Sequence, residues 1–425
     1  MLHDSWILPR ARGTETTIWC YNDTVPKTRP LTVVCMATYE KGQEFMRACH
    51  AAGCRVLLVT AESLRGAAWP REALADVFYI PAEATTQDLL KGIAGVARRE
   101  HIDRIVALDD FDVETAALMR EHLRVPGMGD TTARYFRDKL AMRVKVATTG
   151  LPIPGFVHAL NDETITRFTE TVAPPWLLKP RSQASAIGIS RLDSADALWS
   201  ALDTLGDRRS FYLIEEYVPG DIYHVDAIVS EREVVFAAPH KYGRPPMDVA
   251  HHGGIFVTRT MDWDADETQD LLRFNRALLS TLGFVRGVSH TEFIHGRHDG
   301  RFYFLETSAR VGGAHIVDVV EAATGLNLWT EWARIEIAGE DGTYSLPPHR
   351  RDHAGIVLSL ARQEAPDTSA YTDPEIVLRI VKSHHAGLIV ASPDRERVEA
   401  LLDEYGRRFM SDFYATAPLP DRPSN

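Results

Sequence analysis

The N-terminal part of the sequence alternates two kinds of apolar pattern, and this alternation constrains the fold more than any other feature. Three apolar segments are predicted as buried strands: 31–36, 55–59 and 103–108. Three segments are predicted as helices: 41–52, 87–99 and 112–123. Strands that alternate with helices form parallel sheets, so we predict a parallel α/β domain within residues 1–125. No GxGxxG motif follows the first strand, which argues against a dinucleotide site there.

The pattern changes after residue 125. One helix is predicted over 131–148, with Thr131 as its N-cap and Gly150 beyond its end. A small unit follows, with three strands and a helix in chain order: 176–179, 188–191, 194–205 and 211–217. From residue 222 onward, β-hairpins and a helix at 266–282 predict antiparallel α+β structure. We divide this part into four units: 126–217, 218–345, 346–415 and a disordered tail at 416–425.

Length and composition exclude several classes of protein. A chain of 425 residues with 45% hydrophobic and 25% charged residues is typical of a globular protein with several domains. A formal net charge of -12 without a sustained Lys/Arg block argues against a nucleic-acid partner. No segment reaches the roughly 18 apolar residues that span a bilayer, and the start lacks the apolar core of a signal peptide. We therefore expect a cytoplasmic protein with no membrane partner.

All four cysteines lie near the start of the chain: Cys20, Cys35, Cys49 and Cys54. Their spacing does not match a metal finger. Cys49 and Cys54 allow a disulfide or a metal site as an alternative, but a cytosolic chain favours reduced, buried thiols.

The most informative segment is 288–310, VSHTEFIHGRHDGRFYFLETSAR, which has the pattern of a β-hairpin that turns at 298–300. A three-residue loop pairs 297 with 301, and the same register places Glu292 opposite Glu306. Because side chains alternate, Ser308 and Arg310 share the face of Glu306. Facing carboxylates suit a Mg²⁺ ion that is bound together with substrate phosphates. The alternative is an exposed surface hairpin, since glutamates are mostly exposed.

Two further segments have the chemistry of a nucleotide site. YLIEEYVPG, residues 212–220, is an apolar strand that ends in Glu215 and Glu216 and then breaks. Its extended backbone can offer adjacent hydrogen-bonding groups to a purine, with the Glu216 carbonyl and the Val218 amide as candidates. An edge strand with solvated acids is the alternative for this segment.

The second segment is WLLKPRSQASAIGIS, in which Lys179 ends an apolar strand. Its loop from Ser182 through Ser185 to Gly188 offers hydroxyl groups and backbone amides to phosphates. Lys139, in ARYFRDKLAMR, is a second candidate cation for the phosphates. An ordinary helix-surface lysine is the alternative for Lys139.

These motifs, in this order, resemble the ATP-grasp superfamily, and the resemblance runs from about Lys139 to Gly325. It implies an ATP-grasp fold that combines α/β and α+β parts. In that fold 1–125 is a Rossmann-like N-terminal domain, 126–217 a linker helix with a small lid subdomain, and 218–345 a larger antiparallel subdomain with the metal site. The unit at 346–415 is then a C-terminal α/β piece.

The resemblance also implies roles for single residues. Lys139 and Lys179 contact ATP phosphates, and Lys179 and Arg310 are the catalytic candidates. The remaining cofactor contacts are assigned to Ser182, Ser185, Gly188, Glu215, Glu216, Val218 and Asp221. Glu292, Glu306 and Ser308 ligate one or two Mg²⁺ ions, for which Mn²⁺ can substitute. The chain departs from the family pattern at three places: Ser308 where Asn is commonest, a glycine-poor loop at 182–188, and Asp221 as a substitute for the usual ribose-binding acid.

ATP-grasp enzymes typically phosphorylate a carboxylate and let an amine attack the acyl phosphate. The region EFIHGRHDGRFYFLETSARVGGAH is similar to L-amino-acid ligases, which implies a dipeptide-forming biosynthetic ligase with small-molecule substrates. Its substrate site would use Arg310, Gly312 and Gly313 and, by analogy, His251 or His252. Either histidine can instead be an ordinary loop residue. A homodimer is compatible with the family.

Two other functions stay open at this point. One is a carboxylase of the same superfamily, which activates bicarbonate and transfers it to an acceptor. The other is an ATP-binding module without catalysis, against which the complete set of charged residues argues.

Overall fold

The computed structural model describes residues 29–184, 186–339 and 342–416, with the side chains of 250–252 left aside. Four predictions fall outside the described residues: Cys20, Ser185, the side chains of His251 and His252, and the tail beyond residue 416. No helix in the described ranges is both long and apolar enough to cross a membrane. Cys35, Cys49 and Cys54 are free, buried thiols, as predicted.

A four-stranded parallel sheet forms the N-terminal part, in the order β3-β2-β1-β4. Its strands are β1 Thr32–Ala37, β2 Arg55–Ala61, β3 Asp76–Ile80 and β4 Arg104–Ala107. Its helices are α1 Gln43–Ala51, α2 Thr86–Ala97 and α3 Val113–Leu123. Every residue of β1 is buried, and alternate side chains enter two different apolar clusters on the two sheet faces. The parallel sheet is confirmed, but β3 was not predicted.

The predicted helix over 131–148 is wrong, because the structure divides it into α4 Asp130–Arg134 and α5 Lys139–Ala147. Asp138 causes the division. Its carboxylate accepts hydrogen bonds from the backbone amides of Leu140 and Ala141, so it caps a new helix. Thr131 is not an N-cap, since Gly129 holds that position in α4. Lys139 is therefore the first residue of a helix, and it is buried.

A small antiparallel sheet follows, in the order β5-β8-β6-β7. Its strands are β5 Phe156–His158, β6 Trp176–Pro180, β7 Ser190–Leu192 and β8 Tyr212–Glu216. Its helices are α6 Asp162–Thr171 and α7 Ala195–Leu205, whose apolar residues pack on one face of the sheet. The sequence predicted β6, β7, β8 and α7 but neither β5 nor α6.

The largest sheet has eight antiparallel strands, in the order β13-β12-β9-β10-β11-β14-β16-β15. Its strands are β9 Gly220–Ser230, β10 Glu233–Tyr242, β11 Phe256–Thr260, β12 Gly287–Gly296, β13 Phe302–Ser308, β14 His353–Leu360, β15 Ile376–Lys382 and β16 His385–Ser392. Its helices are α8 Pro246–His252, α9 Asp266–Leu282, α10 Ile316–Thr324, α11 Leu328–Ala338 and α12 Arg395–Asp412. The strands within 346–415 continue this sheet through the pairing of β11 with β14. The assignment of 346–415 as a separate C-terminal unit stays a prediction.

The hairpin of β12 and β13 places Glu292 opposite Glu306, as predicted. The path to this pairing differs from the prediction by one residue. The turn is one residue longer than expected, because the Gly296 amide donates to the Arg301 carbonyl at 2.9 Å. A β-bulge then restores the expected register. Its extra residue is Leu305 on β13, opposite the step from Glu292 to Phe293 on β12.

Candidate functional site

A cavity of about 440 Å³ lies between the small sheet, the large sheet and α5. Ligand sites typically enclose about 300–1,000 Å³. Ten residues predicted for the site line it: Lys139, Lys179, Glu215, Glu216, Val218, Glu292, Glu306, Ser308, Arg310 and Gly313. Four others that were predicted are not on its wall: Ser182, Gly188, Asp221 and Gly312.

Two carboxylates face each other at the cavity, on β12 and β13. Glu306 forms an ion pair through Oε2 with the Lys139 ammonium group at 2.5 Å. Glu292 accepts a hydrogen bond from the Tyr242 hydroxyl at 2.8 Å. Burial raises the pKa of Glu292, but the neighbouring His290 and Tyr242 outweigh burial and lower it. Glu292 is therefore ionised at neutral pH, and the pair is chemically suited to a divalent cation.

Lys179 and Glu215 belong to a buried group of three charges. Glu215 is fully buried and pairs with the Lys179 ammonium group at 2.5 Å and with the Arg143 guanidinium at 2.6 Å. Burial raises the pKa of Glu215, whereas the two cations together lower it below its ordinary value. The Glu215 carboxylate is thus neutralised by protein groups, and one net positive charge is left beside the cavity. Arg143 was missed, although it lies one helical turn after Lys139.

An apolar region of the wall surrounds the end of β8. Six apolar residues of this region come from α5, β6, the segment after β8, β9, β12 and β13: Met142, Leu177, Val218, Ile222, Ile294 and Leu305. Glu216 is held through its backbone, because its amide donates to the Gly155 carbonyl at 2.8 Å. An apolar wall with backbone hydrogen-bonding groups beside it suits a purine base. Asp221 lies off this wall because its carboxylate pairs with Lys241 at 2.9 Å and Arg297 at 3.2 Å.

The loop after β6 reaches the cavity, but through residues other than those predicted. Gln183 and Ala184 line the wall instead of Ser182. The Lys139 ammonium group donates to the Gln183 carbonyl at 2.7 Å, and Arg137 donates to the Ser182 carbonyl. Gly188 has a φ of +73°, and a Cβ there would lie 2.9 Å from Pro180, so this position requires glycine.

Arg310 pairs with a residue that follows the last strand of the N-terminal sheet. Its guanidinium lies 2.5 Å from the carboxylate of Asp110, which follows β4 and also lines the cavity. Burial raises the pKa of Asp110, but the Arg310 guanidinium and other neighbours together outweigh burial and lower the pKa to about 2. Asp110 Oδ1 is buried without a hydrogen-bond partner among the described residues. Asp110 was not predicted; the acidic segment LDDFD, in which it lies, is the one local feature that points to it.

The two glycines after Arg310 have different surroundings. Gly313 lines the cavity, whereas Gly312 packs against the pair formed by Asp226 and His290. A Cβ at 312 would lie 2.9 Å from Asp226 Oδ1 and 3.0 Å from His290 Nδ1. The helix that carries His251 and His252 contributes Met247 and other residues to the wall.

Comparisons with known proteins show which proteins this chain is similar to in sequence and in fold. No protein-family model matches the sequence. The L-arginine-specific L-amino acid ligase of Bacillus subtilis is 25% identical over 292 residues, which is 64% of this chain and 70% of that protein. The crystal structure of an L-amino acid ligase from Bacillus licheniformis has a TM-score of 0.71 and 17% identity, and it covers 91% of this chain and 100% of its own.

A carboxylase structure has a comparable fold. The biotin carboxylase domain of Hydrogenobacter thermophilus 2-oxoglutarate carboxylase, in complex with MgADP, ADP and bicarbonate, has a TM-score of 0.67 and 16% identity. It covers 91% of this chain and 90% of its own. These similarities confirm the predicted combination of a parallel N-terminal sheet and a large antiparallel sheet. The chain therefore has the ATP-grasp fold and is similar in sequence to an L-amino-acid ligase.

Proposed function

We propose that the protein is an ATP-dependent carboxylate–amine ligase that joins amino acids and releases ADP and phosphate. The observation that carries the proposal is one cavity with two facing carboxylates, two lysines and Arg310 on its wall. The sequence relative that is an L-amino acid ligase supports this reaction class.

The lysines and the facing carboxylates of the cavity have separate roles in the proposed reaction. Lys139 and Lys179 hold the phosphates of ATP, and the apolar wall around Val218 holds the base. Glu292 and Glu306 would hold Mg²⁺, with Ser308 beside them, and the donor set fits because hard oxygen ligands suit this ion. When bound, Mg²⁺ neutralises charge on the phosphates that approach the substrate carboxylate. One or two ions, and Mn²⁺ in place of Mg²⁺, are compatible with these ligands.

Arg310 is the residue that we assign to the reacting carboxylate or the transferred phosphoryl group. Arg310 and Gly313 both line the cavity. The γ-phosphoryl group moves from ATP to a carboxylate oxygen of the first substrate, which gives an acyl phosphate and ADP. The amine of the second substrate then attacks the acyl carbon, and phosphate leaves as the amide forms. No protein nucleophile is required, since positioning and charge neutralisation suffice for phosphoryl transfer.

Bicarbonate is the second candidate for the activated carboxylate. A specific observation favours it: the carboxylase domain with a similar fold was solved with bicarbonate and MgADP. That similarity concerns the fold, whereas the sequence relative is an amino acid ligase, so we rank amide formation first. Buried free thiols support a reducing compartment, and we place the protein in the cytoplasm.

The test measures ADP and phosphate release with Mg-ATP against pairs of amino acids, with and without bicarbonate. We expect release that depends on a particular pair, together with a condensed product in the mass spectrum. Turnover that requires bicarbonate alone would replace the ligase with a carboxylase. ATP binding without turnover on any substrate would overturn both enzymatic functions.

A further inference from the structure

Polar side chains cross the large sheet beneath the cavity. The register of β13, β12, β9 and β10 places four of them in one row: Glu306, Glu292, His224 and His240. The next row on the same face contains Ser308, His290 and Asp226. Directly opposed residues of neighbouring strands share a face, so the two predicted metal ligands are continuous with a buried polar network.

Asp226 is the centre of this network and is fully buried. Its Oδ2 lies 2.7 Å from His224 Nδ1, and its Oδ1 lies 2.9 Å from His290 Nδ1. Since an ionised carboxylate only accepts hydrogen bonds, both Nδ1 atoms donate. His224 Nε2 lies 2.7 Å from the Thr258 hydroxyl, which extends the network to β11. These hydrogen bonds hold in place the side chains that neighbour Glu292 on the same face of the sheet.

A metal ion is a poor explanation for this cluster. His224, Asp226 and His240 are close enough to share a cation. However, the rings of His224 and His240 are stacked, with centroids 4.5 Å apart and planes at 5°. The lone pairs of stacked imidazoles lie in parallel planes and do not converge on one ion. His240 Nδ1 also lies 3.0 Å from the Ala238 carbonyl, so it is already used as a donor.

Tyr242 connects this network to Glu292. The ring is buried between His224, at 4.7 Å, and Phe256, at 5.7 Å. Its hydroxyl donates to Glu292 Oε1 at 2.8 Å, and His290 Nε2 lies 3.7 Å from the same oxygen. Among the described residues, no side chain forms a hydrogen bond with Oε2 of Glu292. One carboxylate oxygen is thus held by the protein, and the other is left for a ligand.

We propose that Tyr242 is a positioning residue for the metal: its hydroxyl holds Oε1 of Glu292 so that Oε2 serves the cation. This inference rests on the proposed function, in which Glu292 is a magnesium ligand. Groups that orient a metal ligand typically change metal affinity by about 10- to 100-fold when they are removed.

The experiment compares Tyr242→Phe with wild type by titrating Mn²⁺ into the full chain saturated with ADP and following free Mn²⁺ by electron paramagnetic resonance. Tyr371→Phe is the matched control, because the buried Tyr371 also donates to a carboxylate, Asp412, at 2.9 Å, and it does not line the cavity. We expect Tyr242→Phe to weaken Mn²⁺ binding about tenfold. ADP affinity without metal should be unchanged, and Tyr371→Phe should bind Mn²⁺ as wild type does.

Glu292→Gln separates failure of this inference from failure of the proposed site. If Glu292→Gln loses Mn²⁺ affinity and Tyr242→Phe retains it, the hydroxyl does not position the ligand. If Glu292→Gln also binds Mn²⁺ normally, Glu292 is not a metal ligand, and the positioning role of Tyr242 is overturned together with the proposed metal site. Lower ADP affinity of Tyr242→Phe without metal would indicate a general distortion of the cavity and would also overturn the positioning role.

Discussion

Buried charges decide the chemistry of the cavity at the scale of single residues. Glu215 is fully buried and has two cationic partners, so this group keeps one net positive charge next to the predicted phosphate site. Lys179 and Glu215 were predicted from the ends of apolar strands. Arg143 was not, because a basic residue on a helix has no local signal that distinguishes an exposed side chain from a buried one.

The first prediction concerns the carboxylate of this group. Glu215→Gln leaves the buried cations of Arg143 and Lys179 side by side without an anion. We expect a loss of about 3–5 kcal/mol in the free energy of unfolding, measured with urea. Lys179→Ala leaves a neutral Arg143–Glu215 pair, so it should cost less stability and chiefly weaken ATP binding. Glu216→Gln is the neighbouring control, and an equal loss of stability in that variant would contradict the special role of Glu215.

The second prediction concerns Glu306, which holds a metal-binding charge on β13. Glu306→Gln should lower kcat/KM with Mg-ATP by at least about 100-fold, more than the loss of a group that only orients a metal ligand. The fold should persist, because Lys139 keeps its hydrogen bond to the Gln183 carbonyl. Glu163→Gln, in an exposed pair with Arg167, is the control for removing a surface charge. Normal turnover by Glu306→Gln would rule out the ligand role.

At the scale of elements, local rules predicted strands and facing residues better than they predicted boundaries. The pairing of Glu292 with Glu306 was correct, although the turn and the bulge at Leu305 were not foreseen. The two deviations compensate each other. The edge strand β3 was missed because it begins with the exposed Asp76 and its other four residues are only partly buried. The break at Asp138 within the predicted helix 131–148 was missed, because no Gly or Pro marks it in the sequence.

The third prediction tests this break. Asp138→Ala removes the N-cap of α5 and also the ion pair of Asp138 with Arg181, so it should cost about 1–2 kcal/mol. Because Lys139 is the next residue, ATP affinity should fall as well. Asp394→Ala removes an equivalent cap from α12, where Asp394 accepts from two backbone amides.

The two cap variants are compared by urea unfolding and by calorimetric titration with ATP. Both variants should lose stability, Asp138→Ala somewhat more because it also loses the ion pair with Arg181, and ATP binding should weaken in Asp138→Ala alone. Equal ATP affinities would show that the cap stabilises the helix without placing Lys139.

At the scale of the whole molecule, the contact that joins the N-terminal sheet to the cavity lies beyond any local pattern. Asp110 and Arg310 are 200 residues apart in the sequence. The motifs predicted Arg310 and the parallel sheet separately. Which acid of LDDFD meets the guanidinium depends on how the two sheets pack, and spacing along the chain does not contain that information.

The last prediction follows from the pKa of Asp110. The folded value of about 2 is below the ordinary 3.8, so the ionised carboxylate stabilises the fold above about pH 4, and this contribution is lost as the pH falls toward 2. The shift corresponds to about 2 kcal/mol at neutral pH. Asp110→Asn should therefore be less stable than wild type by about that amount at pH 7, and the difference should shrink between about pH 4 and pH 2.

Urea unfolding of both proteins across this pH range checks the expectation. Asp162→Asn, whose exposed carboxylate pairs with Arg209, is the control and should differ from wild type by less than about 1 kcal/mol throughout. If the difference in the free energy of unfolding between Asp110→Asn and wild type stays constant with pH, the loss of stability comes from packing and not from the charge. A difference that closes in acid identifies the charge of Asp110, and with it the ion pair that links the N-terminal sheet to Arg310 at the cavity.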